Sequence, residues 1–163
     1  MGMDVYGKAP ISKTGEYFRN NAWHWRPLAF YACELAPKIT SACRHWQSND
    51  GDGLDTAGAI ALADRLQAEI DSGRCAIYAA NYMARLDGTP DEDCPHCRGT
   101  GQRTEKLING LVGGPWNSGE PWSCNACDGK GHRRPYSTYY PFSVENVQAF
   151  VNFLRDCGGF EIN

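Results

Sequence analysis

No stretch of this sequence approaches the roughly 20 consecutive apolar residues that a membrane-spanning helix needs, so no such helix is expected. A basic excess is missing too. The 16 lysines and arginines face 19 aspartates and glutamates, a formal net charge of −3, which argues against binding driven by attraction to a polyanion or an acidic membrane. The opening residues, Met1-Gly2-Met3-Asp4-Val5-Tyr6-Gly7, lack a basic stretch followed by an apolar one. No secretory signal is therefore expected, and the predicted location is cytoplasmic. Long internal repeats, low-complexity tracts and blocks of like charge are absent. There is no nucleophile elbow, no phosphate-cradling loop and no His-Glu-x-x-His helix, so the sequence predicts no enzyme. What it does contain is 163 residues, 42% hydrophobic and 21% charged, enough for one real core. It also contains eight cysteines, which a reducing compartment would keep from forming disulfides.

Helical signals dominate both ends. The aromatic stretch over residues 15 to 36 is expected to form two helices divided at Pro27, because proline lacks an amide and suits a first helical turn. Pro37 ends the second, and a short helix is expected over Ile39 to Gln47. Asp55 caps a helix with the stripe Ile60, Ala63, Leu66 and Ile70, stopped at Ser72-Gly73. Cys75, Ala79, Tyr82 and Leu86 predict another helix over 74 to 87. Ser143 caps the last, whose stripe is Val144, Val147, Val151 and Leu154. The head Met3-Asp4-Val5-Tyr6 and the tail Phe160-Glu161-Ile162 are expected to pair as short strands. The predicted fold is mainly α. A compact helical body from residues 1–90 and 138–163 carries an insert over 91–137, which holds four prolines, eight glycines and half the cysteines. That composition cannot build an apolar core and needs a staple.

The insert supplies one. Cys94-Pro95-His96-Cys97-Arg98-Gly99-Thr100-Gly101 and Cys124-Asn125-Ala126-Cys127-Asp128-Gly129-Lys130-Gly131 both read Cys-x-x-Cys-x-Gly-x-Gly, with 26 residues between Cys97 and Cys124. Two residues between thiolates let one tight turn present both sulfurs to a tetrahedral ion at about 2.3 Å. The glycines permit positive φ, so the backbone folds beneath the sulfurs and aims amides at them. Two such turns make a closed shell of four thiolates, the pattern of a structural zinc site. A redox pair would need only one copy and a βαβ setting, and disulfides suit a secreted chain, so both readings are weaker. His96 and His132 flank the cysteines and could replace one as ligand, though the repeated pattern favours the four sulfurs.

The doubled motif resembles the cysteine-rich region of DnaJ-type co-chaperones, which carries four such repeats and two zinc ions. Two repeats here imply one zinc, held by Cys94, Cys97, Cys124 and Cys127. The resemblance covers residues 94 to 131 and stops there. No His-Pro-Asp tripeptide occurs, and the nearest string is Thr89-Pro90-Asp91, so the resemblance implies metal binding without stimulation of a partner ATPase. The segments Asp4-Val5-Tyr6-Gly7 and Gly15-Glu16-Tyr17-Phe18-Arg19-Asn20-Asn21 are similar to small proteins of bacteria and their phages. That similarity implies a phage-encoded factor acting on a host protein complex.

Between the zinc pairs, Asn109-Gly110 flanked by apolar runs predicts a β-hairpin over Glu105 to Val112. The loop after it bears Trp116 and Trp122, which either offer a binding surface or fold back over the zinc knuckle. Lys130, His132, Arg133 and Arg134 form a basic cluster, but residues 91 to 134 hold six acidic and six basic residues. Ser48, Asp50, Asp52 and Gly53 imitate the start of a calcium loop, yet Ala59 stands where the bidentate glutamate belongs. Cys33, Cys43, Cys75 and Cys157 are expected as packed thiols in helices. A second metal site of Cys33, Cys43 and His45 has no supporting ligand spacing. His24 is expected as a packed helix residue, with a base or stacking role as the alternatives. The leading expectation is a protein that binds another protein through a zinc-stapled insert. The second is a nucleic-acid-binding zinc module using the basic cluster and the loop tryptophans. An enzyme is third and would require a cleft joining His24 or His45 to carboxylates.

Overall fold

Alternating burial at the two ends of the chain draws them into one sheet. The computed structural model describes residues 2–103 and 122–163. In chain order the elements are β1 (Gly2–Gly7), α1 (Lys13–Glu16), β2 (Tyr17–Asn21), α2 (Ala22–Leu35), α3 (Pro37–Thr40), β3 (Asp52–Leu54), α4 (Thr56–Asp71), α5 (Arg74–Asp87), β4 (Glu92–Asp93), β5 (Gln102–Arg103), β6 (Trp122–Ser123), β7 (His132–Arg133), α6 (Val144–Asp156) and β8 (Phe160–Ile162). They divide into two units, Met1–Asp87 with Tyr139–Asn163, and Gly88–Thr138. Among the described residues, six α-helices accompany three small antiparallel sheets, more strand than one terminal pair and one hairpin. The predicted hairpin over Glu105 to Val112 lies outside the described residues. No helix among the described residues is long and apolar enough to cross a membrane.

In the first unit, β1 turns Met3 and Val5 inward and Tyr6 outward, the period-two pattern of a half-buried strand. It pairs antiparallel with β8, from Val5 opposite Ile162 to Gly7 opposite Phe160. Two further strands complete the sheet in the order β2-β1-β8-β3. Its inner face, with Val5, Leu54, Phe160 and Ile162, is fully buried and belongs to the same core as the helices. The helix α6 begins where Ser143 Oγ accepts the Asn146 amide at 3.2 Å and lays Val147, Phe150, Val151 and Leu154 into that core. Against it packs α4, capped by Asp55 on the Gly58 amide at 2.7 Å. The buried face of α4 is Ala59, Leu62, Ala63 and Leu66, whereas Ile60 is exposed. The predicted stripe was thus rotated by part of a turn. On the rim of this pair, Arg155 meets Asp64 at 3.1 Å.

Two helical expectations are corrected. Residues 17–21 form β2 rather than helix, because their partner is β1, with Met3 opposite Asn20 and Val5 opposite Phe18. The following helix then starts at Ala22, where the Asn21 side chain accepts the His24 amide at 2.9 Å, and runs through Pro27 to Leu35. The proline forfeits one hydrogen bond of the helix interior. Burial of Trp25, Pro27, Leu28, Ala29, Tyr31 and Ala32 on one helix outweighs that loss.

The helix expected over 39–47 is only the short α3. Beyond it the chain is tied by indoles instead: Trp46 Nε1 donates to the Thr40 carbonyl at 3.0 Å, and Trp25 Nε1 donates to the Trp46 carbonyl at 2.5 Å. The Asp52 carboxylate accepts the amides of Arg44 and His45, which holds it below the usual carboxylate range. That oxygen is spent on the backbone, not on calcium. Cys43 consequently lies in this irregular stretch rather than in a helix.

Phe150 sits at the centre of the aromatic core. Its ring centroid lies 5.2 Å from Phe18, 5.6 Å from Trp25 and 6.1 Å from both Phe153 and Phe160. Replacing it with alanine should cost about 3–5 kcal/mol of unfolding free energy, read from urea denaturation, because the cavity cannot collapse against rings fixed from four sides.

Candidate metal centre

The second unit is built from two copies of one turn. In each, the second cysteine amide donates to the first cysteine carbonyl at 3.3 Å, closing the tight turn that the two-residue spacing requires. The chain then passes through positive φ twice in succession, at Arg98 (52°) and Gly99 (83°), and at Asp128 (51°) and Gly129 (76°). This reversal brings the Gly101 amide to 3.3 Å from Cys97 Sγ, and the Gly131 amide to 3.3 Å from Cys127 Sγ. Each amide donates to a sulfur, the interaction that favours a thiolate.

The copies interlock. The strand entering each repeat pairs with the strand leaving the other: β4 with β7, and β6 with β5. The same exchange continues into the turns, where the Cys94 amide donates to the Gly131 carbonyl at 2.8 Å and the Cys124 amide to the Gly101 carbonyl at 2.9 Å. An approximate two-fold relation follows, with the sulfurs at its centre. The closing glycines are where the copies approach most closely. A Cβ on Gly101 would lie 2.2 Å from the Gly129 oxygen, and one on Gly131 would lie 2.3 Å from the Gly99 oxygen.

The four cysteines are buried and form a cluster of their own. Cys94 and Cys124 bring their sulfurs to 3.9 Å, Cys97 and Cys127 to 3.8 Å, and all four sulfurs lie within 4.8 Å of one another. A tetrahedron with metal–sulfur bonds of about 2.3 Å has edges of about 3.8 Å, so the residues fit a four-coordinate ion. The protonation chemistry fits as well. Burial pushes the Cys94 thiol up, but donation from the Cys97 and His96 amides brings it down to about 7. At Cys127, burial pushes the thiol up to about 11 and the neighbouring sulfurs push the same way. One thiolate is accommodated by the backbone alone, whereas the full set needs a cation to compensate crowded negative charge. Among the described residues this is the one group of three or more histidines, cysteines or carboxylates placed to hold a metal ion.

The remaining predicted residues fall outside that shell. His132 Nε2 lies 4.0 Å from Asp91, Arg133 Nε lies 3.3 Å from Glu92, and Arg134 donates to the Thr89 carbonyl at 3.1 Å. Lys130 is exposed on the second turn. Trp122 stands in β6, not in a loop, with the Arg103 guanidinium 5.1 Å from its ring centroid. Trp116 lies outside the described residues. Cys33, Cys43 and His45 line a shallow concavity of about 570 Å³ without converging on a common point. Burial is the first cause raising the thiols of Cys33, Cys75 and Cys157, and it pushes Cys43 up to about 12. These sulfurs stay protonated and unreactive.

Neither histidine assembles a catalytic relay. The His24 ring faces its own cap residue, Asn21, at 2.9 Å. His45 Nδ1 lies 3.5 Å from Asp50, and Ser48 donates to the same carboxylate. A nucleophilic relay runs from serine to imidazole to carboxylate, and here the carboxylate occupies the middle. What sequence reasoning missed is the exchange of strands between the two repeats, although the match of polar dipeptides on both sides of each motif was its visible trace.

No protein-family model, curated protein or solved structure matches this chain.

Gly101→Ala and Gly131→Ala should each force the two turns apart. The expected result is a loss of about tenfold or more in metal affinity, read by competition with a chromogenic chelator, from strain of order 1–3 kcal/mol. Urea unfolding of the aromatic core should be unchanged.

Proposed function

We propose that this chain is a protein-interaction factor whose Gly88–Thr138 unit is held by one structural zinc ion on Cys94, Cys97, Cys124 and Cys127. The observation that carries this reading is the closed shell. Four buried sulfurs at tetrahedral spacing leave no open coordination position, so the metal's work is to hold the backbone rather than to activate a water. Bound zinc would supply the compensating charge that lets all four thiols ionise. The likeness to the DnaJ-type cysteine-rich motif supports the choice of zinc. The likeness to phage proteins extends the proposal to a factor acting on a host protein complex in the cytoplasm.

The partners of the basic cluster favour a protein over a nucleic acid. His132 and Arg133 each face a carboxylate of their own unit and Arg134 is tied to a carbonyl, which leaves Lys130 as the predicted contact not so engaged. Phosphate binding would have to displace those internal partners.

Elemental analysis should give one zinc per chain. Cys94→Ser or Cys124→Ser should abolish it, since three thiolates and a hydroxyl cannot close the shell. Chelation should remove hydrogen-exchange protection from Gly88–Thr138 before the helical unit, because ligand binding and folding are coupled there. A natively folded chain without metal would overturn the zinc assignment.

The partner class has a separate measurement. A mobility shift at low salt should show no DNA or RNA retention. A pull-down from the native host should recover a protein that the Trp116→Ala, Trp122→Ala double variant loses. Salt-sensitive retention of nucleic acid would reverse the order of the two readings.

A further inference from the structure

The helical unit carries a second feature that the metal centre does not use. Between α2 and α5 lies a concavity of about 400 Å³ lined by Phe30, Glu34, Tyr78, Asn81, Tyr82 and Arg85. Its shape follows from helical spacing. Phe30 and Glu34 stand one turn apart on α2, while Tyr78, Asn81, Tyr82 and Arg85 recur at three- and four-residue steps on one face of α5. Phe30 keeps 54% of its surface exposed, although Ala29 and Tyr31 beside it are buried.

The other two rings are held from behind. Tyr78 packs on Tyr31 at 4.6 Å and on Phe142 at 4.9 Å. Tyr82 donates its hydroxyl to the Tyr140 carbonyl at 3.0 Å, and its ring centroid lies 6.0 Å from that of Tyr78. These two rings need no ordering when a ligand arrives, which removes a usual cost of binding.

The electrostatics of the concavity select the sign of that ligand. Glu34 is exposed and has no ion-pair partner among the described residues. Its charge reaches the aromatic floor: burial pushes the Tyr78 phenol up, and Glu34 adds to the same shift. Arg85 is already committed, with its guanidinium 5.0 Å from the Tyr82 ring centroid. The uncompensated charge is therefore negative, beside rings whose faces are also negative. An anion is repelled by both. A neutral apolar group would leave Glu34 without a partner. A planar cation on an apolar stem satisfies carboxylate and rings together, and Arg85 on Tyr82 is an example of that stacking within the same concavity.

We propose that this concavity receives an arginine side chain of the partner protein, its guanidinium against Glu34 and its stem across Phe30 and Tyr78. The inference rests on the protein-interaction reading above and names the chemistry by which the helical unit takes part in it.

The probe is N-acetyl-arginine amide, titrated into the full chain and followed through the aromatic resonances by NMR. Saturable shifts are expected at Phe30, Tyr78 and Tyr82, with affinity falling about fivefold in Glu34→Gln. Gln preserves the exposed helix position, and an unchanged zinc content and urea midpoint check that the fold is intact. The neutral isostere N-acetyl-citrulline amide should bind wild type no better than the arginine probe binds Glu34→Gln. Equal binding of both probes, an unchanged affinity in Glu34→Gln, or shifts confined to other residues overturns the proposal. Failure here leaves zinc content and capture of a partner through the tryptophan segment as they were, so the two readings fall separately.

Discussion

The convergence of four buried sulfurs is the constraint on which everything else in the Gly88–Thr138 unit turns. Its strands are two residues long, and strand pairs of that size do not hold themselves together in water. The four cysteines form the buried cluster of the unit, and they are the wrong groups to bury without a purpose. Structural zinc on thiolates supplies apparent folding free energy on the order of 10 kcal/mol, far more than two strand pairs of two residues each. Everything local serves that convergence. Positive φ after each second cysteine aims an amide at sulfur, and Gly101 and Gly131 let the two turns come within contact of each other's backbone.

The helical unit rests on different physics. Its core is aromatic, arranged around Phe150, and it joins the inner face of the four-stranded sheet to α2, α4 and α6. Its polar groups are satisfied one by one: indole nitrogens on carbonyls, caps on amides, and the buried Glu69 carboxylate between Arg65 at 3.0 Å and Arg74 at 2.8 Å. The eight cysteines illustrate the contrast. Where the surroundings are apolar, burial raises the thiol and silences it, as at Cys75 and Cys157. Where backbone amides point at the sulfur, as at Cys94, the thiolate comes within reach of neutral pH. Burial alone does not separate a ligand from a packing residue; the direction of nearby dipoles does.

Much of the site was legible because its signals are short-range. The spacing of each cysteine pair, the two glycines behind it and the repetition of the whole string all lie within eight residues of one another. The caps at Asp55 and Ser143 were legible for the same reason, since each acts on an amide three residues away. Residues 17–21 were misjudged because their aromatic content suits helix and strand alike, and only pairing with β1 decides between them. Pro27 misled because its local cost was visible while the burial that offsets it was not. Ile60 was placed on the wrong face for a related reason: two overlapping helical stripes fit the spacing, and the neighbour α6 selects one.

By itself, then, the sequence determined which residues are ligands, where most helices begin and which ends of the chain form strands, because each of these depends on groups a turn or less apart. Only the tertiary structure decided that the two cysteine turns exchange their flanking strands, that β2 and β3 complete the terminal sheet, and that Glu34 and three aromatic rings from separate helices share one concavity. Those features join residues tens to more than a hundred positions apart. No local propensity encodes such contacts, which exist only once burial has chosen which faces meet.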